Sequence, residues 1–198
     1  MASCCSISRS LAAAAGPVFL LLALAACRRA PDLPVYGAVS DFTLVSQDGH
    51  EFNSRALAGN VWVADFFFTS CMGPCPRMGS QMRKIEIATK RYPNVRLVSF
   101  TVDPAHDTPT VLAAYSKHFQ AEPGRWFFLT GATKTLDRLC LKDFKLGNVD
   151  GSLMHSTRFV LVDSKAQIRG YYETGPPDGH AAIDRLIGDI KTLAAERS

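Results

Sequence analysis

The chain lacks any run of five like charges, and its 22 lysines and arginines are interspersed with 18 acidic residues for a formal net charge of +4. A dedicated nucleic-acid surface is therefore not expected, and the pairs Arg83-Lys84 and Lys90-Arg91 read as solvated helix surface. No apolar run reaches the ~20 residues that a membrane-spanning helix needs. There is no internal repeat and no low-complexity segment. Six cysteines in 198 residues are too few for a disulfide scaffold. What is present is a chain with 47% hydrophobic and 20% charged residues, which excludes a disordered chain, a collagen-like repeat and a polytopic membrane protein. One globular domain with a sizeable core is expected.

The apolar stretch Leu11 to Ala26 follows a single early basic residue, Arg9, and ends in small residues. A charged start, an apolar middle and a small-residue end describe a secretory signal. Its end, Leu24-Ala25-Ala26-Cys27, resembles the lipobox of bacterial lipoproteins, in which the chain is cut before a cysteine that receives a diacylglycerol. The resemblance implies a protein anchored by lipid at Cys27 rather than spanning the membrane. Arg28 after that cysteine is not the aspartate typical of inner-membrane retention. The expected division is a lipoprotein signal peptide over residues 1–26, a lipid anchor and linker over 27–40, and a folded domain over 41–198. Pro31, Pro34 and Gly37 mark the linker as extended. Cleavage would remove Cys4 and Cys5, leaving Cys71, Cys75 and Cys140 in the exported domain. That compartment is oxidising, so a close thiol pair there is a disulfide, a metal site or a pair kept reduced.

Hydrophobic periodicity predicts a hairpin around Asp48-Gly49 and then a buried strand over Val61 to Phe68. A helix over Pro76 to Tyr92, a strand over Val95 to Val102 and a helix led by Pro109 follow. Next come a short strand at Trp126 to Leu129 and a helix from Thr133 to Phe144. Two strands, Phe159 to Val162 and Ile168 to Tyr172, precede a last helix with Ile183, Leu186, Ile187, Ile190 and Leu193 on one face. The alternation predicts an α/β sandwich with a mixed sheet flanked by helices and an N-terminal hairpin. Its chemistry belongs at the first strand–helix junction.

That junction reads Phe68-Thr69-Ser70-Cys71-Met72-Gly73-Pro74-Cys75-Pro76. Two prolines place both sulfurs at the start of the helix, where free N–H groups and the helix dipole favour the thiolate. The three intervening residues make the loop one residue wider than a thioredoxin C-x-x-C. A wider loop suits two thiolates closing on a metal, though it also allows a disulfide. A third ligand is wanted. His50, His106, His118 and His180 read as surface, whereas His155 sits in a turn just ahead of a buried strand. Met72 offers a soft thioether, although a gap-filling or merely exposed methionine is the plainer reading. Cys140, among Leu136, Leu139 and Phe144, reads as core.

Three motifs occur in order: Phe68-Thr69-x-Cys71-x-x-x-Cys75-Pro76, then Val102-Asp103-Pro104-x-x-Asp107-Thr108-Pro109, then His155 before Phe159-x-Leu161-x-Asp163. In these the chain resembles the Sco/SenC proteins, thioredoxin-fold copper proteins that help assemble cytochrome c oxidase. The resemblance covers about Leu33 to Tyr172. It implies a thioredoxin-like sandwich and one copper per domain, as copper(I) or copper(II), held by Cys71, Cys75 and His155. Asp103 would support the site without being an assigned ligand. It also implies the copper-binding subunit of the oxidase, or another copper protein, as partner. Ser70 and Met72 depart from the histidine or aromatic residues that many relatives carry around the first cysteine.

Copper delivery is the leading reading, since soft thiolates with imidazole suit copper(I), although Cys₂His with solvent would also take zinc. A second reading is an exported thiol–disulfide oxidoreductase, in which Cys71 or Cys75 attacks cysteines of the oxidase through a mixed disulfide. The chain has no proline between Pro123 and Pro176, so the proline that faces the thiols in such enzymes is missing. A peroxidase using Cys71 with Thr69 and Arg158 is a third reading, disfavoured because Thr69 is one residue too close.

Overall fold

The computed structural model describes residues 33–147 and 156–196. Among these residues, eight strands form one sheet in the order β1-β8-β7-β4-β5-β6-β2-β3. They are β1 (Gly37–Ala38), β2 (Thr43–Ser46), β3 (Glu51–Asn53), β4 (Val61–Phe67), β5 (Val95–Thr101), β6 (Trp126–Thr130), β7 (Arg158–Val162) and β8 (Gln167–Glu173). The helices are α1 (Cys75–Ala88), α2 (Pro109–His118), α3 (Thr133–Asp137) and α4 (Gly179–Ala195). β4, β5 and β6 run parallel, joined through α1 and α2, while the remaining pairings are antiparallel. This is a thioredoxin-like α/β sandwich with a mixed sheet, extended at its N-terminus by the β2–β3 hairpin.

All seven residues of β4 are buried, as expected for a central strand covered on both faces. Its side chains alternate between two clusters. Val61, Val63 and Phe67 face Met78, Met82 and Ile85 of α1, Leu112 of α2 and Ile183, Leu186 and Ile190 of α4. Trp62, Ala64 and Phe66 face Phe42, Leu136, Leu139 and Phe144. Each fully buried aliphatic or aromatic side chain contributes roughly 1.5–3 kcal/mol of transfer free energy, so the two layers fix the sheet's position. Gly79 lets α1 approach the end of α2, because a Cβ there would come within 2.3 Å of the Phe119 ring.

Three local differences from the sequence reading have physical causes. α1 begins at Cys75, one residue early, with Pro74 as its N-cap. The helix expected over 133–144 changes after Asp137 into a π-helical turn, Arg138–Asp143, which leaves Leu139 and Phe144 buried. The third difference concerns residues read as extended linker. Tyr36 donates its N–H to the Ile168 carbonyl at 2.9 Å, and Gly37 and Ala38 pair with β8. The Arg169 guanidinium, itself paired with Asp163 at 2.9 Å, donates to the carbonyls of Leu33 and Pro34. Among the described residues, no helix is long and apolar enough to cross a membrane.

Candidate functional site

β4 ends at Phe67, and the chain turns through residues 68–74 before α1 starts at Cys75. The pair therefore lies at the carboxyl end of the parallel strands, where open α/β sheets present their binding crevices. Cys71 and Cys75 are present as thiols. Cys71 is 9% exposed and Cys75 only 1%, so the second sulfur lies deeper.

The two thiols are unequal. Burial opposes ionisation of Cys71, but hydrogen bonds from the Cys75 thiol and from the N–H groups of Cys75 and Gly73 outweigh it and hold Cys71 below the ordinary thiol value. Burial pushes Cys75 up, its donation to the Cys71 sulfur pushes it further, and a hydrogen bond from the Phe68 N–H only partly offsets both. Of the two, Cys71 is the thiol that ionises the more readily, with the Cys75 thiol donating to it.

The loop carrying Cys71 is tied down by Asp107, which is fully buried. The Thr69 N–H donates to Asp107 Oδ2 at 3.1 Å, and the Thr69 hydroxyl donates to Oδ1. The Thr101 hydroxyl donates to Oδ2 at 2.5 Å, and His106 Nδ1 lies 2.9 Å from Oδ1. Asp107 beside it raises the pKa of the exposed His106 imidazole. Asp103 works through its main chain here: its carbonyl accepts from the N–H of His106 and of Asp107, and its own N–H donates to Thr101 Oγ. Sequence reading placed Asp107 inside a motif but gave it no role; Thr69 lies 38 residues away, and no periodicity marks such a pair.

A second buried acid was also missed. Asp65, mid-strand in β4, is 3% exposed on the α1 face, and its charge is felt at Cys75 and at the Tyr115 phenol. Cys140, read as core, is only half-buried in the π-helical turn, and burial pushes its thiol up to about 11. His155 and Cys27 lie outside the described residues. Within those residues, no group of three or more His, Cys, Asp or Glu side chains is arranged to hold a metal. The structure therefore brings together Cys71 and Cys75, with Asp103 in the neighbouring loop.

A thioredoxin-like sandwich with a C-x-x-x-C dithiol at the N-terminus of its first long helix defines a class of thiol or metal-handling domains. The SCO1/SenC family profile matches residues 34–194, and the chain belongs to that family. It is 30% identical over 186 residues to the SCO1 protein homolog of Bacillus subtilis, covering 91% of this chain and 94% of the relative. The solved structure of BsSco, described as a member of the Sco family of cytochrome c oxidase assembly proteins with a disulfide switch, is 31% identical with a TM-score of 0.69. That match covers 83% of this chain and 96% of BsSco. ScoI of Arabidopsis thaliana, solved with copper bound, shares the fold at 22% identity and a TM-score of 0.65, over 78% of this chain and 99% of its own.

Proposed function

We propose that this protein is a copper-binding assembly factor that carries copper as cargo and delivers it to the copper centre of cytochrome c oxidase. The observation that carries this reading is the Cys71–Cys75 dithiol at the start of α1 in a SCO1/SenC chain. Two thiolates are soft donors suited to copper(I), and His155 is the third ligand in this reading. The hydrogen bonds from the Gly73 and Cys75 N–H groups favour the metal-binding thiolate form of Cys71. The domain would sit outside the cytoplasm, anchored by lipid on Cys27, with the oxidase's copper-binding subunit as partner. Anaerobic titration of the reduced domain should reach saturation at one copper(I) per chain. Cys71→Ser and Cys75→Ser should each abolish tight binding, because one remaining thiolate leaves too few soft ligands. Unchanged binding in either variant would overturn the reading.

The inequality of the two thiols favours a second reading, a thiol–disulfide oxidoreductase acting on the same target. The Cys71 thiolate would attack a disulfide of the target, and the displaced thiolate would take up a proton. The Cys75 thiol would then lose its proton and attack the Cys71 sulfur of the mixed disulfide. The target would leave as a dithiol and the Cys71–Cys75 disulfide would form.

A further inference from the structure

Met72 is 97% exposed, whereas the sulfurs on either side of it are buried. It fills no gap; that work is done by Met78 and Met82, both fully buried on the core face of α1. Nor does it belong to an apolar docking face. Among the described residues, the other large exposed apolar side chains are Val35, Tyr36, Ile87 and Leu141, which lie on the β1 edge, near the end of α1 and in the π-helical turn. What distinguishes Met72 from those four is its sulfur and its position between the two thiols. The loop after it runs beside the outer of the two sulfurs: a Cβ on Gly73 would sit 4.0 Å from Cys71 Sγ, and the Gly73 N–H donates to that sulfur. Cys71 and Cys75 themselves are only 9% and 1% exposed, so the two thiols offer a donor in solvent little surface to approach.

We propose that the Met72 thioether is the transfer ligand of the site, taking copper(I) from a donor in solvent and passing it inward to Cys71, and the reverse on delivery. The inference rests on the copper-carrier reading above. A thioether is soft, uncharged and has no proton to lose, so it binds copper(I) weakly at any working pH. On loading, a bond from copper to Met72 Sδ forms as a donor ligand leaves. The Cys71 thiolate then displaces the thioether, any thiol proton passes to water, and the metal stays copper(I) throughout. Met72 follows Cys71 directly in the chain, their Cα atoms about 3.8 Å apart, so its long flexible side chain starts within reach of the Cys71 sulfur.

The test is Met72→Leu, which keeps the size and apolar character but removes the sulfur. Copper(I) exchange between the reduced domain and the coloured chelator bicinchoninate is followed by stopped flow in both directions. The equilibrium constant is measured separately. Both rates should fall on the order of tenfold with the affinity unchanged, the signature of a ligand used only in passage. Unchanged rates in a copper-binding variant would overturn this inference alone. A faster release with weakened affinity would also overturn it, by making Met72 a resident ligand. A wild-type domain that bound no copper(I) would sink the carrier reading and this inference with it.

Discussion

Asp65 places a carboxyl in the middle of a strand whose other six residues are apolar, on the face that packs against α1. Burial pushes its pKa up to about 7, and a hydrogen bond from the Ser99 hydroxyl only partly offsets this. Among the described residues, its Oδ1 has no hydrogen-bond partner. The folded-state value is therefore raised above that of the unfolded chain. The stability this gives is fully present below about pH 4 and is lost as pH rises through 7, by up to roughly 4 kcal/mol. Cys71 acts in the opposite direction at higher pH, because its folded-state value is lowered, so the comparison must be made against a variant. Asp65→Asn should flatten the fall in melting temperature between pH 5 and pH 8 relative to the native protein. Equal slopes for the two proteins would show that Asp65 does not titrate in this window.

At the scale of elements, the loop of residues 68–74 is fixed by β5 and by the turn leading into α2 as much as by its own sequence. Asp107 accepts hydrogen bonds from Thr69 and Thr101 and thereby clamps two loops that leave adjacent parallel strands. Replacing Asp107 by Asn puts an N–H₂ where an acceptor is needed. This should cost on the order of 2–3 kcal/mol, read as a lowered urea midpoint, because buried donors lose a charged acceptor. Thr69→Val should share part of the loss, while Thr69→Ser should restore it by keeping the hydroxyl. Alkylation of Cys71 should change in the same variants, since Cys71 and its Gly73 N–H donor sit on the clamped loop; a normal alkylation rate in Asp107→Asn would separate the clamp from the site. The α/β alternation and the apolar face of α4 are legible in the sequence because each repeats with the period of its element, and the hairpin because Asp48-Gly49 is a turn signal between two short apolar runs. The pairing of Gly37–Ala38 with β8 is not legible, because two edge residues carry no period. The π-helical turn keeps the apolar spacing of a helix, so Leu136, Leu139 and Phe144 look the same either way. Asp65 registers in the sequence only as an interruption, since what gives it a role is burial beneath α1.

Over the whole molecule, the sheet order decides which loops share the end where copper would be handled. β7 runs antiparallel to β4, with Val162 opposite Trp62 and Val160 opposite Ala64. That register sets the start of β7, at Arg158, beside the end of β4, the same end from which the chain leads into Cys71. His155 precedes that strand in the sequence and is the third ligand in the copper-carrier reading proposed above. Delivery and thiol exchange use the same two sulfurs, so variants of Cys71 or Cys75 cannot separate them. His155→Ala removes a candidate ligand while sparing both thiols. Reduced His155→Ala protein should retain copper(I) better than copper(II), because copper(I) tolerates a two-sulfur linear site. A strain carrying this variant should lose oxidase assembly under limiting copper, while the Cys71–Cys75 pair still cycles between dithiol and disulfide. Added copper should restore part of the assembly, since mass action refills a weakened site. Full assembly at low copper with His155→Ala, alongside failure of either cysteine variant, would make thiol exchange the better account of what this chain does.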